Sequence, residues 1–418
     1  MRNIPFMEGE SQRLLPVSDL RQWTRVSPYR NLACVAGEYA CVGLLHAASL
    51  TVILNLPSAW WGILLAIPVV LLTIFFTGCL IHRIGLLGHE ASHNLLHPNR
   101  LWNDILAELL CFFPLWSSMG SYRAKHAGHH LHPNDPDRDP NMAGSKAEEI
   151  YGRFPMPRSS FIWTYYVKFF WPPFVLKNLS DLFRVLTTGQ VAKVKKGPEE
   201  KRSPWPTSLG ILHLIVVVAA NRIGMAADDP LALIAWQGGA LFLGVAVWAF
   251  LPRGLFRRAR RPGPVEPKYL ALLRLLFYSG ISLWICWTRF LTGFDAFLYY
   301  LVFWIVPLMY VFPYLMLLRE VYQHANLGTG QFDNSRLIHA APFTRWVLLG
   351  YGNDIHNIHH IYPNIPHYHL AEAHESLMRN SEVYRDSLIE TTGTFRSPDG
   401  EESLLDSIEQ PREKVLTG

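Results

Sequence analysis

Residues 56–93 read LPSAWWGILLAIPVVLLTIFFTGCLIHRIGLLGHEASH, and their order decides the fold. Leu56 to Ile81 holds no acidic or basic side chain, and a helix of about 20 such residues crosses the hydrocarbon core of a bilayer. The run then leads into His89-Glu90-Ala91-Ser92-His93. If the helix continues through it, the i, i+4 spacing puts both imidazoles on one face. A membrane helix that delivers two histidines at its end is the first expectation.

Working outward, five more runs carry almost no charge: Cys34 to Leu54, Ser208 to Ala220, Leu231 to Leu251, Tyr269 to Trp287 and Ala296 to Leu318. Half of the 418 residues are hydrophobic and 17% are charged, with the apolar residues gathered in blocks. About six spans and an all-α integral membrane helical bundle follow. The first two spans, joined at Asn55 to Pro57, form a tight hairpin. Arg13, Arg21, Arg25 and Arg30 precede it, Lys193 to Arg202 is basic, Arg253 to Arg261 holds five arginines, and the Ala226 to Pro230 turn has Asp228 and Asp229 instead. By the positive-inside rule the basic loops are cytoplasmic. Two further apolar stretches, Ile105 to Trp116 and Phe161 to Leu176, are short or broken and read as interfacial or re-entrant helices. The tryptophans and tyrosines suit interfacial belts or packing within the bundle.

The net charge of +5 is explained by these loops, so no nucleic-acid role is assigned. No cleaved signal is evident. Cys34, Cys41, Cys79, Cys111 and Cys286 show no C-x-x-C spacing, which argues against a disulfide framework or an iron-sulfur cluster.

Nine of the 18 histidines fall in four places on the predicted cytoplasmic side. Besides His89 and His93 there are two H-x-x-H-H patterns, His126/His129/His130 and His356/His359/His360. The fourth place is His324, alone at the end of the last span, where a structural and a ligating role both remain open. Eight or nine neutral imidazoles exceed what one zinc ion uses, since zinc sites take four ligands. A two-metal site is the natural fit, and imidazole suits iron among other metals.

With these boxes, Gly88 to Leu370 resembles the membrane fatty acid desaturase and hydroxylase superfamily. Gly88–His93 looks like its first box. Lys125–His130, with Asn134 and Asp137 to Pro140, looks like the second. Asn353–His360, followed by Tyr362-Pro363 and Pro366, looks like the third, and Arg319-Glu320 with His324 looks like its charged segment. The resemblance implies His324 as a further ligand, two Fe ions, O2 as co-substrate, a helical membrane fold with a cytosolic cap carrying the boxes, and a lipid or acyl substrate. Without a cytochrome b5-like H-P-G-G motif, electrons are expected from a separate donor such as ferredoxin or cytochrome b5. The organisation expected is a cytosolic segment 1–33, a membrane domain 34–370 with an extra hairpin at about 205–252, and a cytosolic C-terminal tail 371–418. Asn357 stands where related bacterial enzymes often carry an acid.

Each ligating imidazole needs a partner for its other nitrogen. Glu90, Asp137, Asp139, Glu320 and Asp354 are candidates, although each also reads as a loop charge or a helix cap. Asn353, three residues before His356, is expected to reach the metal directly or through water, as the resemblance supports. His82, His97, His132, His339, His367, His369 and His374 read as non-ligands, and His46 and His213 as packed or hydrogen-bonded within spans. A zinc protease built on H-E-x-x-H, with Glu90 as general base, leaves both H-x-x-H-H patterns without a purpose. A transporter would hold its ligands near the bilayer midplane. Acyl desaturation is favoured over hydroxylation, because of the overall box pattern.

Overall fold

The computed structural model describes residues 14–142, 154–171, 203–256, 263–398 and 400–411. A short helix α1 (Val17–Trp23) precedes the hairpin of α2 (Pro28–Leu54) and α3 (Trp60–Ser92). Next come α4 (Arg100–Ala107), which runs into a wider turn over Glu108–Phe112, then α5 (Met119–Leu131) and α6 (Arg158–Ile162). A second hairpin, α7 (Trp205–Ala226) and α8 (Pro230–Phe250), leads to α9 (Pro267–Thr292) and α10 (Ala296–His324). The remaining elements are β1 (Leu337–His339), α11 (Pro342–Leu348), α12 (His356–Ile361), α13 (Leu370–Asn380), α14 (Glu382–Ser387), β2 (Glu390–Thr392) and α15 (Leu404–Glu409). β1 and β2 form a small parallel pair.

Among the described residues six helices, α2, α3, α7, α8, α9 and α10, are long and apolar enough to cross a membrane, so the fold is the all-α membrane bundle expected. Local chemistry sets their ends. Asp229 caps α8 by accepting from Leu231 N and Ala232 N, with Pro230 at the first helical position. Gly293, at φ 70°, stops α9, and Asp295 starts α10 by accepting from Leu298 N. The 33 residues of α3 make it about 50 Å long against about 30 Å of hydrocarbon. Its last turns, with His89, therefore stand beyond the hydrocarbon.

Helices α3 and α10 form the inner pair. A Cβ on Gly78 would lie 2.3 Å from Val311 Cβ, so only glycine permits this approach. Pro307 and Pro313 lack donors, and α10 widens over Leu301–Ile305 and Pro307–Val311. The α7–α8 hairpin packs on α9 through Val217, Ala220, Ala240 and Leu283. Hydrogen bonds join the same helices: His213 to Ser279 at 3.1 Å, Gln237 to Asn221 at 2.8 Å and Trp287 to Gln237 at 2.9 Å.

The segment read as interfacial or re-entrant around Ile105 to Trp116 is not among the spans. Its turn is satisfied by donors from three of them. Tyr39 donates to Leu110 O (2.6 Å), Tyr278 to Phe113 O (3.0 Å), Trp304 to Pro114 O (3.1 Å) and Arg274 to Ser117 O (2.7 Å). Irregular backbone at such a depth persists only when its carbonyls are paired within protein. The second such stretch, Phe161 to Leu176, lies outside the described residues beyond Trp171, as do Lys193 to Arg202, residues 257–262 and residues 412–418.

Within the stretch expected as a tail, the described residues are folded. Leu404, Leu405 and Ile408 are buried against Leu318, Val321 and Tyr322 of α10. Leu370, Ala373, Leu377 and Tyr384 pack with Leu15 and Trp23. The apolar residues of helices this short are diluted by neighbouring charges, so the stretch reads as polar. Together with Leu15 and Trp23 it folds into a cap over the end of the bundle that carries the histidines.

Candidate metal centre

Four helix ends bring the nine histidines together. His89 sits in the last turn of α3 and His93 caps it; His126, His129 and His130 lie on α5; His324 ends α10; His356, His359 and His360 lie on α12. Asn94, Asn134 and Asn326, at φ 64°, 60° and 60°, turn the chain away just past three of these ends, a conformation asparagine tolerates.

The imidazoles form two groups, His89/His93/His126/His130/His359 and His129/His324/His356/His360, with the nitrogens of each group within 4.8 Å of one another. At about 100° per residue, positions i and i+4 of a helix point within about 40° of each other and i+3 points to the other side. In each H-x-x-H-H the outer pair therefore enters one group and the middle histidine crosses to the other.

These residues fit metal ions. His126 Nε2 lies 2.9 Å from His93 Nε2 and 3.0 Å from His130 Nε2, and His356 Nε2 lies 3.1 Å from both His324 Nε2 and His360 Nε2. One imidazole nitrogen, with a single proton or a single lone pair, cannot satisfy two such neighbours. Adjacent ligands about 2.1 Å from a shared ion lie about 3.0 Å apart when they meet at right angles. Among the described residues neither ring nitrogen of buried His89 has a hydrogen-bond partner, nor has His359 Nε2. Burial and the neighbouring imidazoles hold His126, His130, His356, His359 and His360 well below the ordinary pKa. Burial, with the Arg123 charge, lowers His93 to about 3. All are thus neutral at pH 7, as metal ligands must be.

Two rings are oriented from behind. His129 Nδ1 donates to Asp139 Oδ2 at 2.8 Å, and His324 Nδ1 donates to Asn334 O at 2.9 Å. Burial opposes charge on His129, but Asp139 and Glu320 raise its pKa above the ordinary value. Asn134 links both supports, donating from its backbone to Asp139 Oδ2 and from its side chain to Asn334 O. Asn334 gave no signal in the sequence, because a backbone carbonyl does its work.

The three residues expected beside the cofactor are engaged elsewhere. Glu90 Oε2 accepts from His367 N at 2.9 Å, and its other oxygen is 4.0 Å from His89 Nδ1. Asp354 pairs with Arg345 at 2.9 Å. Asn353 Nδ2 donates to Gly350 O at 2.8 Å, and Gln323 Nε2 donates to Asn353 O at 2.7 Å. Each is bonded to the loop before or after the third box. Of the other carboxylates, Glu320 accepts from Asn141 at 2.7 Å, and Asp137 lies exposed in its turn.

None of His82, His97, His132, His339, His367, His369 or His374 joins either group. His46 bonds Tyr299 and Thr77, and His213 bonds Ser279. The sequence reading also missed Glu38, buried in α2, which pairs with Arg83 at 2.8 Å and accepts from Tyr351 OH. A lone acid in an apolar run was the available signal.

The protein is thus a membrane helical bundle that closes nine imidazoles into two groups at one end. The fatty acid desaturase family model matches residues 58–252 and 235–392, and the chain belongs to that family. Among curated proteins it is similar to dihydrorhizobitoxine desaturase of Bradyrhizobium elkanii, 29% identical over 132 residues, which cover 31% of this chain. The matched stretch spans about a third (34%) of that relative's length.

Proposed function

We propose that this protein is an O2-dependent membrane desaturase in which the two histidine groups hold one iron each. The observation that carries the reading is the division of nine converging imidazoles into a group of five and a group of four. Bound iron would supply activation of O2 toward an unactivated C–H bond. The chain's own contribution is to bring nine imidazoles together and aim them, with Asp139 and Asn334 fixing His129 and His324. In the overall reaction a CH2–CH2 unit, O2, two electrons and two protons give an alkene and two waters. The electrons come from a separate donor protein, and the substrate is a fatty acyl or other hydrophobic molecule.

Hydroxylation by the same centre, with one oxygen atom added to the substrate, is the second reading. The similar protein carries desaturase in its name, which supports desaturation. A zinc protease would need Glu90 free to act on zinc-bound water, whereas its carboxylate is held by His367.

Metal analysis of active protein should give about two irons per chain, and product mass spectra should show the loss of two hydrogens. One tightly held zinc, with activity surviving iron removal, rejects the reading, and a gain of one oxygen turns it to hydroxylation. We further propose that the site faces the cytoplasm. Single cysteines placed near Asn134 and near Asn364 should then react only with a membrane-permeant thiol reagent in intact cells.

A further inference from the structure

Glu38 stands in the apolar run of α2 and is 5% exposed. An acid kept in such a run has a partner to find and marks function. Its Oε1 accepts from Arg83 Nε at 2.8 Å, lies 2.8 Å from a terminal guanidinium nitrogen of Arg83, and accepts from the Tyr351 hydroxyl. Arg83 belongs to α3, the helix that carries His89. Its other terminal nitrogen donates to Trp346 O at 3.0 Å, and the guanidinium lies over the rings of Trp346 and Tyr351, 5.3 Å and 4.9 Å from their centres. A Cβ on Gly350 would come within 2.8 Å of the same guanidinium, so glycine lets the chain lie this close.

Trp346 and Val347 lie in the last turn of α11, where carbonyls have no partner within the helix. Arg83 satisfies the first, and the adjacent His82 donates through Nδ1 to the second at 3.1 Å. The chain then turns at Tyr351 and Gly352, at φ 56° and 71°. A left-handed conformation is strained for a bulky aromatic residue and persists where its surroundings over-determine it. Glu38, which takes the Tyr351 hydroxyl, and Arg83, which faces its ring, are those surroundings. Asn353 donates back to Gly350 O, and α12 begins at His356. With six residues and no side-chain cap at its start, α12 is too short to hold itself. Asn357 and Ile358 tie it to the cap, and the turn before it ties it to the spans. It supplies His359 to one histidine group and His356 and His360 to the other.

Building on the proposed two-iron centre, we infer that Glu38 is a positioning residue for the third box. Through Arg83 and Tyr351 it sets the turn that aims His356, His359 and His360, while itself standing in neither histidine group.

The test uses full-length protein in detergent, loaded with ferrous iron without O2. Iron affinity is read by competition with a chelator well below each variant's Tm, and the surroundings of each iron by Mössbauer spectroscopy. Wild-type protein should hold two irons. Glu38→Gln keeps the shape of the side chain and removes its charge. It should weaken both irons about 10-fold or more, as loss of a support behind the ligands does, because the third box serves both groups. Arg83→Lys keeps an ion pair but lacks the fork that reaches Glu38 and Trp346 O together. It should hold a near-wild-type Tm, weaken both irons to a similar extent and shift both iron signals. Glu38→Gln combined with Arg83→Met leaves no unpaired charge, so Tm should recover while iron affinity does not. A merely structural ion pair gives the opposite split. Wild-type iron affinity and spectra in Arg83→Lys or in the double variant, or weakening of one iron alone, overturns the inference. Should Glu38→Gln or Arg83→Lys not fold, the double variant decides by the same criterion. Those results, with two irons in the wild type, refute the positioning role alone, whereas wild-type protein that cannot hold two irons refutes the functional reading itself.

Discussion

Asp139 accepts a hydrogen bond from His129 Nδ1 at 2.8 Å, with both side chains almost wholly buried. That bond fixes which ring nitrogen faces the group containing His324. It is also the one case in which a carboxylate proposed from the sequence as a support stands directly behind a clustered histidine. The tie reaches further through Asn134, which bonds Asp139 and the Asn334 carbonyl behind His324. Two of the four imidazoles in the smaller group thus share one scaffold.

Asp139→Asn keeps the shape but removes the charge and lets the amide present either a donor or an acceptor to His129. Loss of such a partner lowers metal affinity or activity about 10- to 100-fold. Iron titration of the variant should show one of the two irons weakened and the other retained. Equal weakening of both would mean that the groups do not act as separate sites.

His324→Ala removes one of only four imidazoles in its group. The variant should fold in detergent, hold less iron and lose turnover. His374, whose ring is bonded to Tyr384 OH at 2.9 Å and stands outside both groups, provides the control. His374→Ala should keep most of the activity. Full iron and near-normal turnover in His324→Ala would reduce the site to eight histidines.

The pH dependence of stability should carry the mark of His367. Burial disfavours its charge, but the Cys34 side chain and the Glu90 carboxylate raise its pKa to about 9, above the unfolded value of about 6.5. A raised pKa means that the folded state holds the proton more tightly. Its contribution, about 3 kcal/mol, is complete below about pH 6.5 and lost as pH rises through about 9. Thermal unfolding measured on both sides of that window should show a fall in Tm for the wild type. His367→Gln should lower Tm at acid pH and flatten the fall.

Leu405 is 1% exposed and packs beside the final turns of α10. Leu405→Asp buries an unpaired carboxylate there and should cost about 3 kcal/mol or more. Thermal unfolding of the full chain checks it. A near-wild-type Tm would show that residues 404–409 contribute nothing to the cap.

What the sequence determined by itself follows from periodicity and solvent. Runs such as Leu56 to Ile81 can satisfy their backbone in lipid only as helices, so the spans and the all-α class were legible from residue order. The histidines were legible too, because H-x-x-H-H is rare and occurs twice. Tertiary structure alone decided how they divide. His129 and His359 each leave their own box for the other group, because the i+3 position points about 60° to one side of i while i+4 points about 40° to the other, and nothing in either box says which helix it will face. The same limit hid the carbonyl of Asn334 and the pairing of Glu38 with Arg83. Distance along the chain does not give the direction in which a side chain points, so the bonds of Glu90, Asn353 and Asp354 were not legible either.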